Sequence, residues 1–407
     1  MTQKPSITTD MIVSGGGLAG MALALMAARP GLSVTVIEPL DPALQQEEGF
    51  DGRTTALAYA TQQMFAGMGL WEELASSAGA ILDIRIVDAD SPLWLHYDHR
   101  EVGENPMGYI VENRHIRRAL LSGLARNPHI SLLTPASFRD YTADAHGVAV
   151  TLADGRTVNG RLLVAADGRR SDVRSASGIE VRESDYRQTA IVCTVRHEKP
   201  HRGVAIERFL PAGPFAILPM GRIAGDEGSQ HHSSLVWTER RALVPHFLAM
   251  DEAAFRAQVA QRFGDYLGVL EVVGSRWSYP LALTTATRYT APRMALIGDA
   301  AHAIHPIAGQ GYNLGMRDVA QLAEQVTEAA SLGLDIGGAM LLEHYEAARM
   351  ADSALMIAAT DGLNRLFSND FTPLRLARTL GLAAVQHIPP LKRRFMRHAM
   401  GVKKVLG

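Results

Sequence analysis

A single cysteine, Cys193, in 407 residues leaves no intrachain disulfide and no Cys-rich metal site, so a reducing cytosol is the expected compartment and no metal is expected. Neither sign of charge prevails. The 40 basic and 42 acidic side chains give a net charge of -2, which removes any overall electrostatic case for a nucleic-acid partner. Long apolar runs are missing too, with one exception: Met11 to Ala28 carries no charge and follows Lys4, so hydropathy alone would flag a membrane span or a signal peptide. Glycines 15, 16, 17 and 20 interrupt it, and its pattern fits a buried strand followed by a buried helix. No other uncharged stretch is long enough to cross a bilayer, which argues against an integral membrane protein. Internal repeats and low-complexity tracts are also absent.

What is present begins with composition. With 47% hydrophobic and 20% charged residues the chain is globular, and its length allows two or three packed units. The most informative segment is Gly15-Gly16-Gly17-Leu18-Ala19-Gly20, preceded by Met11-Ile12-Val13 and followed by Ser33 to Ile37 and Glu38. That order reads strand, glycine turn, helix, strand, acid. Gly15 permits the tight turn, Gly17 lets a pyrophosphate approach the backbone, and Gly20 lets helix and strand pack closely. The helix start offers free N–H groups to phosphate, and Glu38 can accept hydrogen bonds from a ribose 2′-hydroxyl. The segment predicts an adenine dinucleotide, FAD or NAD, without choosing between them.

Downstream the patterns predict a polar loop from Asp41 to Gly52, a helix from Thr54 to Leu74, strands at Asp83 to Asp88 and Leu93 to Tyr97, and a helix from Arg114 to Arg126. Val148 to Leu152 and Thr157-Val158 flank Asp154-Gly155, which favours a hairpin with a tight primed turn. Arg161 to Ala166 reads as a buried parallel strand. Short β-like runs then follow at Ala190 to Val195, Val204 to Leu210, Pro214 to Leu218 and Ser234 to Thr238, with one helix, Glu252 to Phe263. Met294 to Ile297 restores the buried-strand pattern, and the chain beyond Gly311 is helical. A nucleotide domain split by a β-rich insertion is the expected α/β architecture.

Two further motifs stand at the ends of buried strands. Asp167 to Arg174 should emerge at the carboxyl edge of the sheet, where ligands bind in open α/β folds, although it also reads as a plain turn capped by Ser171 or Asp172. The other runs Gly298-Asp299-Ala300-Ala301-His302-Ala303-Ile304-His305-Pro306-Ile307-Ala308-Gly309-Gln310-Gly311-Tyr312-Asn313. Asp299 is placed to accept from ribityl hydroxyls, and Gly309 to Gly311 let a flat ring lie on bare backbone whose N–H groups stabilise negative charge near N1 and O2. This is a flavin site rather than a nicotinamide site.

The three motifs in this order resemble the aromatic-hydroxylase class of FAD-dependent monooxygenases over nearly the whole chain. Gly49 to Arg53, Glu207-Arg208-Phe209, Leu218-Pro219-Met220, Tyr279-Pro280-Leu281 and His305 to Asp318 look most like its ubiquinone-biosynthesis branch, and there like the hydroxylases of polyprenylated methoxyphenols. The resemblance implies a Rossmann-like FAD-binding domain (1–75, 105–180 and 276–330), an inserted β-rich substrate domain like that of para-hydroxybenzoate hydroxylase (76–104 and 181–275), and a helical C-terminal region (331–407). It implies that Gly15, Gly17, Leu18, Ala19, Gly20 and Glu38 hold the ADP half, that Arg53 reaches the flavin, and that Asp167 and Arg114 lie near the pyrophosphate. Gly298, Asp299, Pro306, Gly309, Gln310, Gly311, Tyr312 and Asn313 would hold ribityl and ring. NAD(P)H and O2 are the implied co-substrates, with oxygen delivered through a flavin C4a-hydroperoxide to a ring carbon ortho or para to the phenolic oxygen. No second GxGxxG follows a strand, so NAD(P)H is expected to dock without a Rossmann domain of its own.

No catalytic side chain stands out. His302, His305 and Tyr312 share the flavin loop; His305, with Pro306 beside it, is the candidate for the reacting end, although a loop histidine is more often structural. Phe215, Ile217, Leu218, Pro219 and Trp237 are apolar candidates for the substrate pocket, yet alternation on strands usually marks core. Rival readings are a flavin reductase, a halogenase, disfavoured by the lack of a Trp-x-Trp pair, and a non-catalytic FAD scaffold. From Leu391 to Gly407 six Lys or Arg and no acid appear; at helical spacing Leu391, Phe395, Ala399, Val402 and Leu406 oppose Arg393, Arg397 and Lys404. Such a helix can lie on the inner face of an anionic membrane, dock on a biosynthetic partner, or pack on its own domain. A homo-oligomer is also compatible with the sequence.

Overall fold

A computed structural model describes residues 6–28, 31–41, 52–88, 94–223, 230–367, 381 and 384–402. The expected polar loop at 42–51, Gly49 to Asp51 within it, Leu93, Lys404 and Leu406 lie outside them. The chain opens with β1 (Met11–Ser14), α1 (Leu18–Ala27), β2 (Val34–Ile37), β3 (Thr54–Ala58) and α2 (Tyr59–Gly67). It continues through β4 (Asp83–Asp88), β5 (Trp94–Asp98), β6 (Ile130–Leu133) and β7 (Leu162–Ala165). Next come β8 (Val181–His197), β9 (Val204–Leu210), β10 (Gly213–Pro219), β11 (His232–Arg240), β12 (Leu270–Ala286) and β13 (Met294–Leu296). Three long helices follow: α3 (Gln310–Ser331), α4 (Ala339–Phe367) and α5 (Pro389–Ala399).

Two of the four sheets among the described residues carry the site; β3 belongs to a small three-stranded sheet with Gly108–Glu112 and Gly79–Ile81. In the first, β13, β7, β1, β2 and β6 lie side by side and parallel, with a short antiparallel strand at one edge. Its strands are apolar runs because both faces are covered. The second is an eight-stranded sheet in the order His302–Ala303, β12, β8, β11, β10, β9, β4, β5, antiparallel except where β9 meets β4. The uncharged run from Met11 to Ala28 is the centre of the first core: Met11, Ile12, Val13, Leu23 and Ala24 have no exposed surface. A helix apolar on every side is stable only when enclosed, and each fully buried Leu or Met contributes about 1.5–3 kcal/mol. No helix among the described residues is long and apolar enough to cross a membrane.

Several expectations need correction. Thr54 to Leu74 is not one helix: Thr54–Ala58 is a strand paired with Gly108–Glu112, and the helical part breaks at Gly69, whose φ of +72° ends a turn. The hairpin between Leu152 and Thr157 has no two-residue primed turn; Gly155 N–H bonds Leu152 O and Leu152 N–H bonds Arg156 O, a longer loop with only Gly155 left-handed. The boundary expected at 275/276 falls inside β12, a 17-residue strand paired with β8 from Leu270 to Ala286. Helix α5 buries Lys392 and Met396 rather than Leu391 and Phe395, and Met400 just past its end joins the same core; the helix ends before Gly401 (φ +74°), so Val402 leaves the helical period.

One buried charge ties the second half together. Asp318 on α3 accepts from Gly298 N–H (2.9 Å), His302 Nε2 (2.7 Å) and Arg349 Nε (2.7 Å), and has no exposed surface. Burial alone would raise its pKa, but the charges of His302 and Arg349 prevail and hold the carboxyl below its ordinary value. Its contribution is therefore complete above the ordinary carboxylate range and is lost on acidification. Asp318→Asn leaves Arg349 with only Asp352 as a charged partner and should cost about 3 kcal/mol. Thermal melts against pH would show it as a lower Tm at neutral pH and a flatter acid limb than wild type.

Candidate active site

Strand register brings the three motifs to one edge. Ser14 pairs with both Ile37 and Ala165, and Ala165 pairs with Leu296, so Gly15, Glu38, Asp167 and Gly298 all leave the sheet at the level of its carboxyl end. Gly15 has φ +107°, and a Cβ there would lie 2.4 Å from Ala166 O. A Cβ on Gly20 would lie 2.0 Å from Gly15 O, and one on Gly16 would meet Glu38 Cβ at 2.9 Å. Gly17 differs from all of these: it starts α1 and a Cβ there would meet nothing within 4 Å. Three glycines are required by the protein's own packing, and the fourth faces open space beside unpaired helix N–H groups, where a phosphate fits. Glu38 Oε2 accepts Gly16 N–H at 2.7 Å and Oε1 accepts Leu40 N–H at 3.0 Å, so the acid also closes the turn.

At the second motif Ser171, rather than Asp172, caps the helix, accepting Arg174 N–H at 2.9 Å. Asp167 accepts Val173 N–H at 3.1 Å, and burial raises its pKa against these hydrogen bonds. Arg174 donates to Ala300 O (2.7 Å) and Arg169 O (2.8 Å), fastening the second motif to the third. Asp299 faces the cavity described below; desolvation raises its pKa, with Arg169 and His302 opposing. Gly309 (φ +62°) begins α3, and its Cβ would meet Ala56 Cβ at 2.6 Å, whereas Gly311 has nothing within 4 Å.

A cavity of about 2210 Å³ runs from this edge between the eight-stranded sheet and helices α4 and α5. Single small-molecule pockets hold about 300–1,000 Å³, so there is room for a dinucleotide and a long substrate together. Arg53, Asp299, Pro306, Gly309, Gln310, Gly311 and Tyr312 line it. Arg53 lies over the Trp277 ring, 4.8 Å from its centroid. The Tyr312 hydroxyl is pushed well up by burial and stays protonated. Leu18 and Ala19 open α1 next to Gly17, with Ala19 Cβ 3.6 Å from where Gly298 would carry one.

Other candidates are placed elsewhere. Asn313 has its amide saturated: Oδ1 accepts from Ala58 N–H and Thr61 Oγ1, both at 2.8 Å, and Nδ2 donates to Ala56 O and Gly309 O. Its side chain latches the flavin loop to β3 and has no valence left for a cofactor. Arg114 pairs with Glu112 at 2.8 Å and does not line the cavity. His305 packs edge-on against Tyr186 (5.2 Å) rather than into the cavity, and burial pushes its pKa down to about 4, so it is neutral at pH 7. Phe215, Ile217 and Trp237 are corrected outright: they lie on the opposite face of the sheet, in a core closed by Phe255, Val259 and Phe263. Strand period two leaves the expected Leu218 at the cavity and adds Pro214, Ala216, Val236 and Thr238, while Pro219 is buried outside it. Sequence reasoning also missed Asn113, Arg169 and Glu207, all of which line the cavity. Arg169 was detectable from its place in the second motif and Glu207 from the Glu207-Arg208-Phe209 run; Asn113 carries no local signal.

Comparison with known proteins agrees with this geometry. The family model of the FAD binding domain matches residues 8–360. Ubiquinone hydroxylase UbiL of Rhodospirillum rubrum is 53% identical, over 100% of this chain and 92% of its own length. The 3-demethoxyubiquinol 3-hydroxylase of Escherichia coli is 33% identical, over 99% of this chain and all of its own. The crystal structure of p-nitrophenol 4-monooxygenase PnpA from Pseudomonas putida DLL-E4 superposes with a TM-score of 0.77 over 98% of this chain and all of that one; at 18% identity it shows the fold. The chain belongs to the FAD-binding family: it is an FAD-dependent hydroxylase of the monooxygenase class, and FAD is its cofactor.

The glycine geometry separates folding from cofactor binding. Gly20→Val drives a side chain into Gly15 backbone and should abolish soluble expression or lower Tm steeply. Gly17→Val meets only open space, so it should fold with a near-normal melt but purify with little FAD, as judged by flavin absorbance and a fluorescence titration with added FAD. Equal flavin content in Gly17→Val and wild type would remove the pyrophosphate assignment.

Proposed function

We propose that the enzyme hydroxylates the ring of a polyprenylated methoxyphenol in ubiquinone biosynthesis, with NAD(P)H and O2 as co-substrates. The observation that carries this reading is the cavity itself: beyond the flavin loop its wall is apolar, and it ends among the exposed side chains of Leu355, Leu363, Phe395 and Val402. An apolar exit that reaches the surface suits a substrate with a long hydrocarbon tail; a small polar phenol has no use for it. The names of the two relatives above point to the same chemistry. When bound, FAD supplies the electron transfer and oxygen chemistry.

The chain's own residues position and shield. We propose that Gly15 to Gly20, Glu38 and Asp167 bind the ADP half and Asp299 the ribityl chain. The N–H groups where α3 begins, at Gly309 to Tyr312, supply a positive field for negative charge on the ring, and Arg53 adds to it from the opposite wall. Ile84, Ile86, Leu95, Ala216 and Leu218 exclude water from the reacting carbon. The FAD-binding unit on this reading comprises 1–75, 105–180 and the chain from 287 to about 330, and the substrate unit 76–104 and 181–286, with β12 kept whole.

Helix α5 supports a peripheral site at the inner face of an anionic membrane. Arg393, Arg394 and Arg397 are exposed around the outer end of the cavity beside Phe395 and Val402, where a tail would enter from lipid. Because Met396 and Met400 belong to the core, truncation at 391 would expose that core; charge reversal is the cleaner test.

Two measurements follow. Purified enzyme with NAD(P)H, a short-tailed methoxyphenol and isotopically labelled O2 should give a phenol with one labelled oxygen on the ring; NAD(P)H consumption with no labelled product would support a reductase, and no consumption a scaffold. In vesicle flotation, wild type should rise with phosphatidylglycerol vesicles and not with phosphatidylcholine ones, and an R393E/R394E/R397E variant should stay at the bottom with both. Equal flotation of variant and wild type would sink the membrane assignment.

A further inference from the structure

Among the described residues two carboxylates line the cavity, Asp299 at the flavin end and Glu207 at the midpoint of β9. Glu207 lies opposite Ala216 on β10 and Ile86 on β4, and shares its face of β9 with Ala205 and Phe209. Ile206 and Leu210, on the other face, pack into the opposite core. The acid is therefore set into an apolar wall that faces the substrate space. It makes no hydrogen bond and no ion pair with any described residue, and, unlike Asp299, it has no charged neighbour acting on it. An acid in such a wall costs desolvation and returns nothing to the fold. Its use must come from what enters the cavity.

We propose that Glu207 is a catalytic residue that takes the proton from the substrate's ring hydroxyl and later returns it. The inference rests on the hydroxylase reading above. The carboxylate accepts the phenolic proton, and the electron pair left on oxygen is delocalised onto the ring carbon that forms the new C–O bond. That carbon then loses its hydrogen as a proton to water, the ring regains aromaticity, and the carboxylic acid gives its proton back to the original oxygen. O2 supplies the oxygen atom, its O–O bond breaking as the C–O bond forms; NAD(P)H supplies the two electrons and, with one proton from solvent, the hydrogens that reduce the second oxygen atom to water. A phenolate is the more electron-rich partner for electrophilic oxygen, which is why proton removal accelerates the transfer.

The pKa of Glu207 is pushed up to about 8 by burial, with no charged neighbour contributing. Other titratable groups on surrounding elements are Asp88 on β4, opposite Phe209; Tyr97 on β5; Asp299 and Arg53 at the flavin end; and Arg393, Arg394, Arg397 and His398 on α5. Burial pushes Tyr97 up to about 12, which keeps it neutral, and lowers His398, with Arg317 adding to that effect. An unfilled Glu207 is thus protonated at neutral pH and ionises as pH rises through about 8.

The test uses FAD-loaded enzyme without NAD(P)H and a short-tailed methoxyphenol, read by ultraviolet difference spectra across the neutral to alkaline range. Wild type should show a bound-phenolate band that grows below the free phenol's own pKa; E207Q and E207L should lack it while keeping their flavin content and melting temperature. In turnover, E207Q should lose about 100-fold or more in kcat, with KM changed only a few-fold, and lose the alkaline rise in kcat. E207D should restore part of both. A phenolate band or a kcat within threefold of wild type in E207Q would overturn the proposal. Failure of wild type itself to hydroxylate any prenylated phenol would overturn the parent reading and this one with it.

Discussion

Everything at the site depends on strands ending level. Because Ser14, Ile37, Ala165 and Leu296 are paired in register, four segments far apart in sequence turn away from the sheet in one plane. A slip of one residue in any of these ladders would turn its side chains to the other face and lift its turn out of that plane. Glycine makes the close approach possible. At Gly15 and Gly20 neighbouring backbone occupies the space of a Cβ, so helix α1 starts hard against the end of β7, with its free N–H groups at the carboxyl edge of the sheet.

From that edge the energetic logic runs outward. Asp318 sits under the Gly298 turn with three partners, Arg174 joins the Asp167 turn to Ala300, and Asn313 ties the flavin loop to β3. Each is a buried polar group fully used by the protein, which stiffens the loops that a planar ring would rest on. The substrate side is built in the opposite way. There the wall is apolar, and Glu207, its single acid among the described residues, has no partner among them.

Much of this was legible in residue order. Gly15 to Gly20 with Glu38, the buried strands, and the Gly298 to Asn313 loop were identifiable because local backbone demands leave a local trace: a positive φ, a bare helix start, a run of β-branched residues. The helix expected over Thr54 to Leu74 failed because β3 gains its strand conformation from pairing with Gly108–Glu112, some fifty residues away. Period two on β10 and β11 correctly announced strands, but not which side faced the cavity; Phe215 and Trp237, the larger residues, went to the closed core. Similarly, the arginine-rich helix was evident at the C-terminus while its buried stripe was not, since Met396 and Met400 are chosen by the shape they meet.

Sequence by itself therefore determined the cofactor class and the positions of its turns, because glycine and a strand-ending acid state a backbone requirement wherever they occur. Only the tertiary structure decided the cavity wall, the Asp318 hub and the isolation of Glu207. Those depend on pairings such as Glu207 with Ile86 and Gly298 with Asp318, in which each residue's role is set by a partner that its own neighbours in the chain do not specify.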